Sequence, residues 1–154
     1  MTALTAIVPS PLGGLLLSAS ADALVEIGWT DAPPTGAFPS PLLEETARQL
    51  AAYFADPKAA FTLPLAPAGD AFEQAVWREM CAIPPGLTAT YGDLGQATGR
   101  PARAVGGACG RNPIPIVIPC HRVVGADGRM VGYSGRGGVE TKRWLLQHEG
   151  ALLI

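Results

Sequence analysis

The segment Pro115 to Val124, PIVIPCHRVV, limits what this chain can fold into more than any other stretch. Its Ile, Val and Pro residues suit an extended segment buried in a core, yet a cysteine, a histidine and an arginine stand together inside it. Apolar surroundings ordinarily raise a thiol's pKa and leave it inert. The segment therefore either hides an unreactive cysteine, the commonest fate of that residue, or surrounds a reactive one with a dry pocket. Adjacent side chains of an extended segment point to opposite faces, so Cys120 and His121 touch directly only if the chain turns after Cys120. A bridging water is the alternative.

The 154 residues are enough for one compact domain or two small lobes. No apolar run approaches membrane-spanning length, so no membrane partner is expected. The N-terminal MTALTAIVPSPLGG has no basic start and is broken by Pro9 and Pro11, so a signal peptide is not expected. Three cysteines (Cys81, Cys109, Cys120) without a framework spacing point to free thiols in a reducing compartment, the cytoplasm. The net charge of −2 argues against nucleic acid, but it averages two unlike halves. Residues 1–69 hold two basic and six acidic residues, whereas residues 100–143 hold eight basic and two acidic, a local excess of +6. Either a polyanion is drawn to the C-terminal half or that half carries a solvated arginine surface.

The pattern predicts an α/β (α+β) chain. A small N-terminal strand–helix lobe with an antiparallel sheet spans residues 1–66, and a second lobe spans 67–154. GGLLLSASADALVEIGW reads as two strands around a turn near Ala21, and AFTLPL as a third. Between them, a helix from Pro41 places Leu43, Ala47, Leu50 and Phe54 on one face. In the second lobe a helix opens at Asp70 with a capping box to Glu73 and an apolar stripe of Phe72, Val76 and Met80, and Pro84-Pro85-Gly86 stops it. Thr90 with Asp93 caps a short helix closed by Gly99, and PARAVGGACG follows as another, a winged helix-turn-helix-like pair. VETKRWLLQHEG is the last helix.

The helix PARAVGGACG is nearly bare. Two adjacent glycines, Gly106 and Gly107, cost about 1 kcal/mol each against alanine, which a chain tolerates when something must approach the backbone closely. That something is either a neighbouring helix or DNA, with Arg103 as the one long probe among Ala102, Gly106 and Gly107. Cys120 needs a base to become a nucleophile. His121 is adjacent, and Glu149, if buried, requires a partner. A Glu–His–water–Cys relay satisfies both, although spacing alone equally fits Glu149 as a solvated residue at a helix C-terminus. No Cys or His pair has the spacing of a structural zinc site, so neither metal nor cofactor is expected.

NPIPIVIPCHRVVGADG, followed by GYSGRGGVETKRWLLQHEG, resembles the O6-alkylguanine-DNA alkyltransferases, as do VWREMCAIPPGLTATYGDL and RAVGGACGRNP. The likeness is strong from Phe72 to Gly150 and only general before residue 67. It implies direct DNA repair. A nucleotide bearing O6-alkylguanine, with O4-alkylthymine as a further substrate, is flipped out of duplex DNA, and its alkyl group moves irreversibly to Cys120 in a single turnover. The resemblance makes His121 the water-mediated base, Glu149 its orienter and Asn112 a hinge behind the cysteine. Tyr91 becomes the donor that protonates the leaving guanine, and Arg103 the residue that fills the gap in the duplex. Val123, Tyr133 and Ser134 become the guanine pocket. It further implies a monomer able to bind DNA cooperatively. The stretch between the proline and the arginine of the recognition helix is two residues shorter here than is usual in the family. A non-catalytic module that grips alkylated DNA is the alternative, and a cysteine hydrolase is a weaker one because no oxyanion-hole loop is evident.

Overall fold

The computed structural model describes residues 3–133 and 135–151. The chain divides into two compact units, Met1–Ala68 and Gly69–Ile154. The mixed α/β class expected from the sequence is what is observed.

In the first unit, β1 (Leu4–Val8), β2 (Gly14–Ala19) and β3 (Leu24–Thr30) form an antiparallel sheet in sequence order. Alternation along β1 and β2 sends Ala6, Val8, Leu15 and Leu17 into the core against α1 (Pro41–Ala55), and β3, whose pairing with β2 shifts register between Ser18 and Ala19, adds Leu24 and Ile27. The prolines of the N-terminus obscure β1 in the sequence, since Pro9 and Pro11 fall in the turn just after it. The strand expected over AFTLPL is reduced to a single bridge between Leu24 and Leu65. Leu24 N–H donates to Pro64 O and Ala66 N–H to Leu24 O, and Pro64, having no N–H, cannot extend the ladder. The buried face of α1 is also rotated from the expected stripe. Thr46, Gln49 and Tyr53 join Leu43 and Leu50, while Ala47 and Phe54 are only half-buried. The polar members are tolerated because they are paired. Thr46 donates to Leu42 O (2.8 Å), and the Gln49 amide both donates to Thr62 Oγ1 and accepts from its N–H.

The second unit begins with α2 (Ala71–Cys81), opened by the Asp70–Glu73 capping box. Its buried face is Glu73, Val76, Trp77 and Met80; Phe72, expected there, is half-buried with the Arg100 guanidinium 4.7 Å from its ring centre. Trp77 Nε1 donates to Ala108 O (3.0 Å), which ties α2 to α4 (Ala102–Gly110). Between them, α3 (Tyr91–Thr98) starts with the Thr90–Asp93 capping box and ends on Gly99 at φ 78°. The α3–α4 turn is tight enough that a Cβ on Gly95 would lie 2.6 Å from Arg100 O, so glycine is required there. The two-residue strands β4 (Ala89–Thr90) and β5 (Val123–Val124) pair in parallel, joining the start of α3 to the segment after Cys120. The last helix, α5 (Val139–His148), buries Thr141, Lys142, Leu145 and Leu146.

Candidate active site

The chain turns at the cysteine. Cys120–Arg122 is one 3₁₀ turn rather than a continuation of the extended run, and all three side chains are buried. The turn sends His121 to Glu149 at the C-cap of α5, His121 Nε2 lying 2.7 Å from Glu149 Oε2 with both side chains fully buried. Glu149 is therefore not the solvated helix end that spacing allowed. Arg122, unremarked in the sequence beyond its charge, completes the cluster. Its Nε donates to Glu149 Oε1 (2.8 Å), its second terminal nitrogen to Oε2 (2.9 Å), and its first to Ile83 O (2.6 Å). A carboxylate that accepts from a guanidinium on both oxygens stays ionised and acts only as an acceptor. His121 must then donate through Nε2, which leaves the lone pair of a neutral ring on Nδ1. Nδ1 is buried without a partner among the described residues. Burial pushes the His121 pKa below its usual value, against the opposing pull of Glu149, so the ring rests neutral and is able to accept a proton.

Burial raises the Cys120 pKa, while Asn112 and Lys142 pull it down. The resting sulfur is a thiol, and no direct hydrogen bond joins it to His121 among the described residues. Asn112 holds the segment behind it. Its Nδ2 donates to Ile118 O (2.8 Å) and its Oδ1 accepts from Ile114 N–H (2.9 Å), clamping the turn over residues 113–118. Within that turn the buried Ile116 sits at φ 76°, a left-handed conformation that costs an L-residue about 1–2 kcal/mol. The Asn112 clamp is what holds the strain in place.

In front of the cysteine lies a cavity of about 90 Å³ lined by Tyr91, Gly106, Cys109, Gly110, Cys120, Gly132 and Tyr133. Tyr91, the first residue of α3, donates to Val131 O (3.2 Å), and burial pushes its phenol pKa up to about 12. Tyr133 has its hydroxyl buried with no partner among the described residues, and burial raises its pKa still further. Val123 is fully buried in β5, directly after the Cys-His-Arg turn. Ser134 lies outside the described residues. Lys142, also absent from the sequence expectations, is fully buried on α5. Its ammonium donates to Val131 O (2.8 Å) and Gly132 O (3.1 Å) and reaches the Tyr91 hydroxyl at 3.4 Å. Lys142 and Glu149 are seven residues apart, two helical turns on one face, and that spacing is the signal that could have found it.

Packing within the protein does not dictate the glycines of the bare helix α4 at positions 106 and 107. A Cβ on Gly107 would lie 3.2 Å from the Arg111 guanidinium, the tip of an exposed side chain one turn along the same helix, a neighbour that can give way, so packing alone does not demand glycine there. A Cβ on Gly106 would meet nothing within 4 Å, and Gly106 lines the cavity instead. Ala102 and Arg103 stand exposed at the other end of the helix, away from the buried cluster. Arg100 does not extend freely from the shortened helix start, since its guanidinium is laid over Phe72.

A sequence profile described as 6-O-methylguanine DNA methyltransferase, DNA binding domain, matches residues 71–151, and one for the ribonuclease-like domain of the same proteins matches residues 4–67. A methylated-DNA–protein-cysteine methyltransferase of Methanosarcina barkeri is 40% identical over 151 residues, covering 93% of this chain and 94% of that protein. The chain belongs to the 6-O-methylguanine DNA methyltransferase family. Solved structures agree. The Mycobacterium tuberculosis O6-methylguanine methyltransferase superimposes with a TM-score of 0.82 at 37% identity, covering 97% of this chain and 94% of that one. The M. tuberculosis protein OGT in complex with DNA gives 0.82 at 40% identity, covering 94% and 91%. The work of this methyltransferase family is direct DNA repair by alkyl transfer to a cysteine, with DNA as the partner. Around Cys120 the structure gathers a buried thiol, a buried neutral histidine and a cavity.

Proposed function

We propose that this family member takes the alkyl group from O6-alkylguanine in duplex DNA onto the Cys120 sulfur, once per chain. The observation that carries the reading is the pairing of a buried thiol on a cavity wall with a buried histidine whose other face is fixed by Glu149. His121 Nδ1 takes the Cys120 proton through an intervening water. Glu149, anchored by Arg122, holds the ring in the tautomer that allows this and stabilises the imidazolium as it forms. The thiolate attacks the alkyl carbon, the carbon–O6 bond breaks, and the electron pair leaves on guanine. Tyr91, a neutral phenol at physiological pH, protonates the departing base and is reprotonated from His121, so the thiol proton ends on guanine. The resting cysteine stays protonated until an alkyl carbon reaches the sulfur and its proton passes to His121 as attack begins, which protects the thiol from adventitious reaction.

The product is a thioether, which water does not hydrolyse, so the protein is consumed. On the DNA, Arg103 at the exposed start of α4 enters the space the flipped nucleotide leaves, with Ala102 and Gly106 permitting close approach. Tyr133, Ser134 and the main chain at Val123 receive the base. The binding and acceptor roles belong to residues 67–154 and a supporting role to residues 1–66. The protein works as a monomer in the cytoplasm, where its thiols stay reduced. A titration with excess duplex tests the reading. Transfer should stop at one alkyl group per chain, and Cys120→Ala should bind duplex DNA with no transfer. Continued turnover would overturn it, and wild-type binding without transfer would favour a recognition-only module.

A further inference from the structure

The cavity holds a second thiol that the transfer chemistry leaves unused. Cys109, in the last turn of α4, lines it together with Cys120, and both side chains are buried. Asn112 ties the main chains of the two residues together. Its backbone N–H donates to Cys109 O (3.2 Å), its side-chain Nδ2 donates to Ile118 O (2.8 Å), and Ile118 O also accepts from the Cys120 N–H (2.8 Å). The two cysteines, eleven positions apart in the sequence, therefore face one small space from backbones linked through a single residue. Burial and the neighbouring Cys120 push the Cys109 pKa up to about 12, so at rest it is a thiol and no rival nucleophile. Cys81, the third cysteine, is exposed and does not line this cavity.

We propose that Cys109 and Cys120 form a reversible disulfide when a peroxide enters the cavity, a modification that stops alkyl transfer and keeps the acceptor sulfur from irreversible oxidation. The proposal rests on the alkyl-transfer reading for its consequence; the bond itself does not. A space of about 90 Å³ takes a few water-sized molecules, which admits hydrogen peroxide and excludes a bulky disulfide such as oxidised glutathione. His121 takes the Cys120 proton, and the thiolate attacks one peroxide oxygen. The O–O bond breaks, Cys120 becomes a sulfenic acid, and the departing hydroxide leaves as water with that proton. The Cys109 sulfur then attacks the Cys120 sulfur and displaces hydroxide, which takes the Cys109 proton. Two thiols and one peroxide thus give one disulfide and two waters. A lone acceptor cysteine would continue to sulfinic acid, which thiols do not reduce. For a protein that reacts once, that loss removes a chain without repairing a lesion.

The test exposes wild type, Cys109→Ala, Cys109→Ser and Cys81→Ser to hydrogen peroxide and blocks the free thiols. Intact mass, peptide maps and methyl transfer are read before and after dithiothreitol, with each variant's recovery scaled to its own untreated rate. Wild type and Cys81→Ser should lose two hydrogens, yield a cross-linked peptide pair holding Cys109 and Cys120, and regain transfer on reduction. Both Cys109 variants should gain oxygen at Cys120 instead, with recovery about fivefold below wild type. Two Cys109 variants keep the test sound should one fail to fold. A wild-type protein with Cys109 free and Cys120 carried to sulfinic acid would overturn the pairing. So would a disulfide to Cys81, a wild-type mass and rate unchanged by peroxide, or equal recovery in the Cys109 variants. Untreated wild type that transfers no methyl group would sink the transfer reading, while the mass result still decides the disulfide.

Discussion

Replacing Glu149 by glutamine changes no volume and removes one charge at the centre of the buried cluster. In the native protein the carboxylate accepts from Arg122 on both oxygens and from His121 on one. A glutamine offers one oxygen and one NH₂. Wherever the NH₂ points, it opposes either an Arg122 donor or the His121 Nε2–H. If it faces His121, the ring must move its proton to Nδ1, and the lone pair then points away from the thiol. If it faces Arg122, a buried guanidinium loses its counter-charge. Breaking a buried ion pair by removing one partner costs about 3–5 kcal/mol. The retained amide oxygen puts this case near the lower end, about 3 kcal/mol, which corresponds to about 6–12 °C in Tm for a chain of this size. The wrong tautomer costs catalysis as well. The analogous carboxylate-to-amide change in a Ser-His-Asp triad lowers the rate about 10⁴-fold, and general-base help is worth about 10²–10⁴-fold overall. The expected outcome for Glu149→Gln is therefore a fall of about 10²–10³-fold in the second-order rate of methyl transfer from an O6-methylguanine duplex. The rate is to be measured below the lowered Tm, with DNA affinity within a few-fold of wild type. A folded variant reacting within threefold of the wild-type rate would show that His121 needs no orienting carboxylate, and the relay would fail.

Three further outcomes follow from the same geometry. Because burial holds the His121 pKa below its unfolded value of about 6.5, unfolding takes up a proton below that pH. Stability by urea denaturation should then fall by up to about 1.4 kcal/mol per pH unit as pH drops through 6.5 toward the folded pKa, and His121→Gln should flatten that slope. Asn112→Ala strands the buried Ile114 N–H, leaves the Ile118 carbonyl with the Cys120 N–H as its remaining donor, and frees the strained turn at Ile116. A loss of about 2–4 kcal/mol is expected in denaturation, and an unchanged midpoint would remove Asn112 from its clamping role. Lys142→Met and Tyr91→Phe should be non-additive in transfer rate, because the ammonium and the hydroxyl share the Val131 carbonyl; full additivity in the double variant would separate them.

The helix caps were legible because they are local. Asp70–Glu73 and Thr90–Asp93 satisfy backbone donors within four residues, and the capping boxes form where the sequence places them. Cys120, His121 and Glu149 were legible as candidates, but only three dimensions decide between a buried and a solvated Glu149. The faces of α1 and α2 were not legible. Gln49, Thr46 and Glu73 are polar by type and become buried only because Thr62, the Leu42 carbonyl and Arg111 happen to meet them. Lys142 and Arg122 were hidden for the same reason. The seven-residue spacing to Glu149 puts Lys142 on the face of a candidate site residue, but nothing in the sequence names its partners as two loop carbonyls, or that of Arg122 as a carboxylate 27 residues away. The strand expected over AFTLPL failed on one atom, the N–H that Pro64 lacks.

The central claim concerns one sulfur among three. Cys81 is exposed, whereas Cys109 and Cys120 are buried on the same cavity. Intact-mass measurement of the protein after exposure to excess O6-methylguanine duplex, followed by peptide mapping, separates them. The account predicts a single methyl-for-hydrogen exchange per chain, located on Cys120 and absent from Cys120→Ala. A methyl group found on Cys81 or Cys109, or an unmodified protein beside demethylated DNA, would contradict it.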